Sequence, residues 1–471
     1  MMATGFFNGV TAGRVTGWAK NPGDKNPIPV SLVIDGQTVE TKIANLPQPQ
    51  LSGLIGSIEH GFAFDIPVAY HDGQTHTAGI FVYGSQTPLQ PLDEAEGQFR
   101  LGIGEADKEI FRQRVKALTF GSSKMKGDAL GRGPVALYAC HNSTGELSWS
   151  QRRMLEELAE AGYRTILCNS TLGGMYTLAA QAAEYCSDLL FRNNFGRDFA
   201  SWSILIAQYE EEIRASDHVL FVNDSFLGPF GSMEPFFSAY RNSPADFFGL
   251  TESWDIEHHF QSSIFILSNA AIASKYFDDL IFGYDFPEDK FKVISRGEIR
   301  LSSIFLASGM SSAVFAPYPE LCGLWLSRLE DMIQANLDLP EHQISPNAPS
   351  QELTFNRPHR RFDDFAKTWI LDTSSDLRRM HPVNPQHVFW KELMRDFGIP
   401  LIKKELVFSN PVAVPDVWSV SRVVMELYGP EAWQGLCSDA RLARSVLPPP
   451  PRMPTQDCMT PACPASHRNA W

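Results

Sequence analysis

His218-Val-Leu-Phe-Val-Asn-Asp-Ser225 is a short, continuously apolar run that breaks into three small oxygen-bearing side chains. Such a run is too short for a helix and apolar at successive positions, so it reads as a strand buried on both faces. Runs of the same kind precede and follow it at Val135–Cys140, Tyr163–Cys168, Asp188–Phe191, Asp246–Leu250 and Ser263–Leu267. Helix-like spacers separate most of them. The first spacer opens with Ser148 and Gln151 at capping-box spacing and stops at Gly162. Strand and helix alternating over residues 134–320 predict an α/β unit around a largely parallel sheet.

The rhythm changes on both sides. Residues 1–93 hold short β-type runs separated by turn chemistry, such as Val30–Ile34 before Asp35-Gly36, and predict a small β-sandwich whose core takes in Trp18. Residues 94–133 read as a helical linker: Ile110, Phe111, Val115 and Leu118 share one side of a helix over Glu105–Leu118, and the glycines and serines of Gly121–Gly133 suit a flexible connection. Residues 321–440 read as a helical C-terminal extension with a weakly patterned polar stretch at Asn347–Asp364, and residues 441–471 as a disordered Pro-rich tail.

Charge and composition bound the function. The 471 residues carry 40 Lys+Arg against 54 Asp+Glu, a net charge of −14, so no global positive field draws in nucleic acid or an anionic bilayer. No apolar run reaches spanning length and Met1–Gly5 lacks a signal pattern, which leads us to expect a cytoplasmic protein. The seven cysteines form no C-x-x-C pair and read as free thiols. The phosphate-binding G-x-x-x-x-G-K-[ST], the dinucleotide G-x-G-x-x-G, G-x-S-x-G and H-E-x-x-H patterns are all missing.

Ligands of open α/β sheets bind outside the carboxyl ends of the strands, where backbone amides and helix N-termini are free. Four successive loops there are polar: Cys140-His141-Asn, Asn169-Ser-Thr, Arg192-Asn-Asn194-Phe-Gly196-Arg197-Asp198 and Asn223-Asp224-Ser225. Arg192 and Arg197 could clamp a diphosphate, with Gly196 allowing close backbone approach. A plainer reading makes Asp198 the N-cap of a helix from Phe199 and pairs Arg197 with a surface acid. Asp224, flanked by Asn223 and Ser225, could hold a divalent cation with two phosphates, or sugar hydroxyls; its plainer reading is an Asx-turn leading to Gly228-Pro229. Glu298 stands at capping-box spacing from Ser295, so helix capping competes with a base role. His258, His259 and Gln261 precede a strand, and His141 ends one; isolated histidines are more often structural than catalytic.

In order and spacing, Arg192–Trp202, Leu220–Pro229, Asp246–Ser253 and His259–Ser263 resemble the rhamnan synthesis protein F family of bacterial polysaccharide glycosyltransferases over about 180 residues. Asn384-Pro-Gln-His-Val-Phe-Trp390, Phe397-Gly-Ile-Pro-Leu-Ile-Lys-Lys-Glu-Leu406 and Asn410-Pro411 resemble a segment near the end of such proteins. Gly13–Ala19 with Val33–Gly36 and Gly61–Asp65 is similar to a β-sandwich attached to bacterial glycan-synthesis enzymes.

The resemblance implies a nucleotide-sugar-binding, Rossmann-like (GT-A-like) catalytic domain that moves a sugar, rhamnose among the candidates, from a nucleotide-sugar donor such as dTDP-rhamnose to a cell-surface or capsular polysaccharide. It implies catalytic roles for Asp224 and Glu298, the latter as the base on an acceptor hydroxyl. Donor contacts fall to His141, Asn169, Arg192, Asn194, Gly196, Arg197, Asp198, Asn223, Ser225 and Gln261. Asn223 and Ser225 stand where related enzymes keep the two acids of a D-x-D, so a Mg2+ or Mn2+ ion rests on Asp224 alone. A glycan or lipid-linked glycan acceptor follows, with peripheral-membrane or polysaccharide-assembly proteins as partners at the inner face of the plasma membrane. The competing reading is a non-catalytic carbohydrate-binding or scaffolding protein with a degenerate α/β part.

Overall fold

The computed structural model describes residues 4–10, 13–23, 26–48, 59–71, 73–91, 97–124, 133–243, 245–255, 257–337 and 362–442. The tail from 443 and most of the polar stretch at 347–364 lie outside them.

The N-terminal strands form two facing sheets. β1 (Thr4–Phe7), β2 (Arg14–Lys20), β5 (Leu46–Pro47), β6 (Glu59–Asp65) and β8 (Gln90–Pro91) lie in one, and β3 (Pro29–Ile34), β4 (Gln37–Ile43), β7 (Thr75–Val82) and β9 (Gln98–Arg100) in the other. Val15 and Ala19 of β2, Phe62 and Phe64 of β6, and Leu32 and Ile34 of β3 fill the space between. Trp18 does not join them. Strand alternation puts Val15, Gly17 and Ala19 inward, which turns Trp18 to the outer face of β2, where it meets Phe6 edge-to-face at 5.5 Å.

The central sheet runs β10 (Thr119–Lys124), β13 (Cys186–Arg192), β12 (Arg164–Asn169), β11 (Val135–Cys140), β14 (His218–Asn223), β18 (Ile264–Ser268), β16 (Phe247–Ser253) and β17 (His259–Phe260), with β19 (Ser312–Ala316) also paired to β16. β13, β12, β11 and β14 are mutually parallel; β18 runs antiparallel to β14, and β16 antiparallel to β18. The sheet is therefore mixed, with a parallel half and an antiparallel turn-back. β11 shows why the run of apolar residues was needed. Val135, Leu137 and Ala139 enter a core beneath the helices Arg197–Gln208, Lys275–Phe282 and Arg300–Ala307, while Ala136, Tyr138 and Cys140 enter another beneath Trp149–Glu160 and Met175–Ala182.

The helix at Glu105–Leu118 forms as its periodicity requires. The first residues of the expected flexible linker are instead strand, β10 pairing antiparallel with β13 from Thr119↔Arg192 to Lys124↔Asp188, and residues 125–132 of that linker lie outside the described residues. Glycine and serine give weak intrinsic strand preference, and the open edge of β13 overrides it. The capping box at Ser148 and Gln151 is present, and Gly162 takes φ +81° after that helix. C-terminal helices cover one end of the sheet, with β15 (Phe226–Leu227) and β20 (Ile402–Lys403) pairing antiparallel to tie them down. No helix among the described residues is long and apolar enough to cross a membrane.

Candidate functional site

The carboxyl ends of β11, β12, β13 and β14 face one rim, and the loops beyond them are bonded to one another. Asn223 Nδ2 donates to Asp198 Oδ2 at 2.7 Å, joining the loop after β14 to the first turn of the helix Arg197–Gln208. Asn223 Oδ1 accepts from the Ser225 backbone N–H at 3.1 Å, so the Asx-turn belongs to Asn223, and Asp224 is left facing outward from it. Among the described residues, the hydrogen bonds and ion pair of the Asp224 carboxylate fall on Oδ2, which accepts from the His141 N–H at 3.1 Å and Gln151 Nε2 at 3.3 Å and lies 3.7 Å from Lys404 Nζ. Its side chain keeps 17 % of its surface open. Gln151, the capping residue legible in sequence, thus also braces the site.

Asp198 is the second carboxylate. The helix starts at Arg197, ahead of the expected boundary, so Asp198 sits inside its first turn rather than at the N-cap; the cap position falls to Gly196. Burial and the charge of Asp224 together push its carboxyl up to about 6. Lys403 opposes that rise and also donates to Ser225 Oγ at 2.9 Å, with its ammonium 4.8 Å from the centre of the Phe226 ring. The pairing of Phe226 with Lys403 in the β15–β20 ladder holds this lysine at the rim.

Several expected donor contacts turn out to be internal. Arg192 is fully buried: Nε and Nη2 donate to Ser201 Oγ, and Nη1 donates to the carbonyls of Asn193 at 2.8 Å and Phe195 at 2.6 Å. Its guanidinium organises the 193–197 loop and is not available to a diphosphate. Asn169 is buried too, accepting from the Asn142 N–H at 2.8 Å and donating to the carbonyls of Asn142 and Thr171. Gly196 is needed for packing, since a Cβ there would stand 2.8 Å from Ala200 Cβ and 3.0 Å from Phe286 Cα. His141 pairs through Nδ1 with Ser170 Oγ at 2.9 Å and is exposed, as are Asn194 and Arg197.

Glu298 does not cap a helix. It lies in a π-helical turn, Ile294–Ile299, inserted between Lys290–Val293 and Arg300–Ala307. Such turns are frequent at functional sites because they re-aim side chains. Glu298 Oε1 accepts from the Ser262 N–H at 2.6 Å, and the next residue, Ser263, accepts through its carbonyl from the Asn223 N–H at 3.1 Å. Glu298 and the Asp224 turn therefore flank one short loop. Gln261 belongs to the wall behind it: Thr251 Oγ1 donates to its Oε1 at 2.9 Å, and Gln386 Nε2 donates to Thr251 and Ser263 at 2.8 Å each. His258 bonds Glu252 at 2.6 Å, away from that loop.

The C-terminal contributions, Lys403, Lys404 and Gln386, received no role from sequence, although they lie in the segments singled out by resemblance. Two adjacent lysines directly after the apolar Ile399–Ile402 were the available signal.

Residues 165–317 match the rhamnan synthesis protein F family. The matched span of rhamnan synthesis protein F holds Asp198, Asn223, Asp224 and Glu298, and stops short of both lysines. The chain is also 28% identical over 253 residues to the virulence protein VirA of Vibrio anguillarum, covering 53% of this chain and 71% of that one. Among solved structures, it is similar to Staphylococcus aureus TarS 1–349 in complex with UDP (13% identity, TM-score 0.26, 66% of this chain and 89% of that one). It is similar as well to the mannosyltransferase PcManGT of Pyrobaculum calidifontis with GDP-Man and Mn2+ (11% identity, TM-score 0.24, 72% and 88%). At these scores the architecture rests on the strand order described above.

Proposed function

We propose that the protein is a glycosyltransferase that takes a sugar from a nucleotide-sugar donor at the rim formed by residues 197–198 and 223–225 and passes it to a glycan acceptor in surface-polysaccharide synthesis. The bond between Asn223 and Asp198 carries this reading, because it brings two loops distant in sequence into one polar cluster at the carboxyl edge of a parallel sheet. The family match over residues 165–317 supports it. Asp224 Oδ1 and Asp198 address hydroxyls of the ribose or the donor sugar. Glu298, aimed by the π-turn, removes the proton from the attacking acceptor hydroxyl, a role worth about 10²- to 10⁴-fold in rate. Rhamnose as the transferred sugar, dTDP-rhamnose as donor and a lipid-linked acceptor at the inner membrane face are the finer form of the same proposal.

The test is to incubate the full chain with individual nucleotide sugars and measure released nucleoside diphosphate, alongside thermal melting with the corresponding nucleotides. A ligand at about 100 times its Kd adds about 2.7 kcal/mol to stability. At least one nucleotide is expected to raise the melting temperature, and Asp224→Ala to abolish the rise. Should no nucleotide shift the melt and no sugar be consumed, the non-catalytic reading takes its place.

A further inference from the structure

Sugar transfer leaves a nucleoside diphosphate whose developing negative charge has to be met by fixed cations. Sequence offered three sources, Arg192, Arg197 and a divalent metal at Asp224; Arg197 is exposed at the start of its helix, while Arg192 and the metal do not fit the structure. The Arg192 guanidinium is spent on Ser201 and on carbonyls of its own loop. At Asp224 the neighbouring side chains are an amide committed to Asp198 and Ser225 and a hydroxyl committed to Lys403. Among the described residues no three or more His, Cys, Asp or Glu side chains converge in a set able to hold a metal ion. The cation that does stand beside the Asp224 carboxylate is an ammonium, Lys404 Nζ.

We infer that Lys403 and Lys404 form the cationic subsite for the donor diphosphate in place of a metal ion. The inference rests on the transferase reading and names the groups that would meet the leaving charge. The β15–β20 ladder sets the register, with Phe226 opposite Lys403, and the Lys404 N–H donates to the Ser225 carbonyl at 2.8 Å, so both residues are pinned to the Asn223–Ser225 turn by backbone. The two ammoniums bracket that turn, one on Ser225 and the other on Asp224. Both side chains are half-buried, and that of Lys404 keeps 30 % of its surface open, enough to exchange a carboxylate for phosphate oxygens. A compact ammonium suits this exchange, since it serves as a point charge without a fixed bidentate geometry. The segment near the chain's end, expected from its resemblance to the end of such proteins, thereby acquires a chemical reason to lie beside the matched region 165–317.

Calorimetric titration of the full chain with UDP, GDP, dTDP and inorganic pyrophosphate, in EDTA and again with Mg2+ or Mn2+ in excess, tests this. Wild type is expected to bind at least one of these probes in EDTA, with little gain from either metal. Lys404→Met and Lys403→Met should each weaken binding about 10-fold, the loss expected for a charge-assisted contact, and reduce its salt dependence, while Lys404→Arg retains most of the affinity. Thermal melts of each variant separate lost binding from lost folding, and a methionine variant that unfolds is replaced by the glutamine variant, Lys403→Gln or Lys404→Gln, which removes the charge and keeps a polar end. The inference is overturned if wild type binds only with added metal, or if folded methionine variants bind as tightly as wild type. If wild type binds no probe under either condition, the transferase reading itself fails and the inference falls with it.

Discussion

Replacing Asp198 by asparagine should make the protein more stable and less able to bind its donor. The substitution keeps an oxygen for Asn223 Nδ2 to donate to and removes one charge from a cluster in which burial and the Asp224 carboxylate have pushed Asp198 from 3.8 up to about 6. An acid raised in this way favours the fold when protonated. Its stabilising contribution is complete below pH 3.8 and is lost as the pH rises through about 6. The gap of about 2.2 pH units, at about 1.36 kcal/mol each, sets a ceiling of about 3 kcal/mol on the cost of the ionised carboxylate at neutral pH. For a folding unit the size of the α/β region, about 1 kcal/mol moves the melting temperature by about 2–4 °C. Because Asp198 retains some contact with water, a rise of several degrees is expected for Asp198→Asn at neutral pH, shrinking toward nothing as the pH falls from about 6 to about 4. Scanning calorimetry of both proteins across that range decides it. A difference independent of pH, or a variant that melts lower at neutral pH, would mean that Lys403 compensates the carboxylate fully and that no stability is stored here.

Two further outcomes follow from the geometry. Arg192→Met should cost about 2–4 kcal/mol, because it takes the donor from the part-buried carbonyls of Asn193 and Phe195 that the guanidinium now satisfies; a melt within a degree of wild type would restore Arg192 as a free ligand group. Gly297→Ala puts a Cβ 2.6 Å from the Phe199 ring, next to Asp198, and should lower stability by about 1–3 kcal/mol together with nucleotide-sugar turnover, as read by melting and by released diphosphate.

Much of the architecture could be read from the chain because its parallel strands are buried on both faces and so advertise themselves as unbroken apolar runs. Ser148 and Gln151 located a helix start for a similarly local reason, a two-way exchange of hydrogen bonds over three residues. What could not be read depends on the path of the backbone. Arg192 looked like a phosphate ligand because a sequence does not show carbonyls curling back around a guanidinium. Glu298 looked like a capping residue because its π-turn has no fixed signature, and the spacing from Ser295 mimicked a box that the continuous helix does not contain. Trp18 was misassigned by one step of alternation, enough to turn a side chain from the core to the outer face. Lys403 stands 178 positions from Ser225 along the chain, and only the pairing of two-residue strands brings them together.

That pairing bears on how the protein can be cut for laboratory work. A fragment ending at residue 317, where the family match stops, would keep every strand of the central sheet after its own start and still lack both ammoniums, the Gln386 brace and Asp439, whose carboxylate accepts from the N–H groups of Trp149 and Ser150 at the head of the helix carrying Gln151. A soluble but inert product from such an expression clone would report a missing clasp rather than a missing activity.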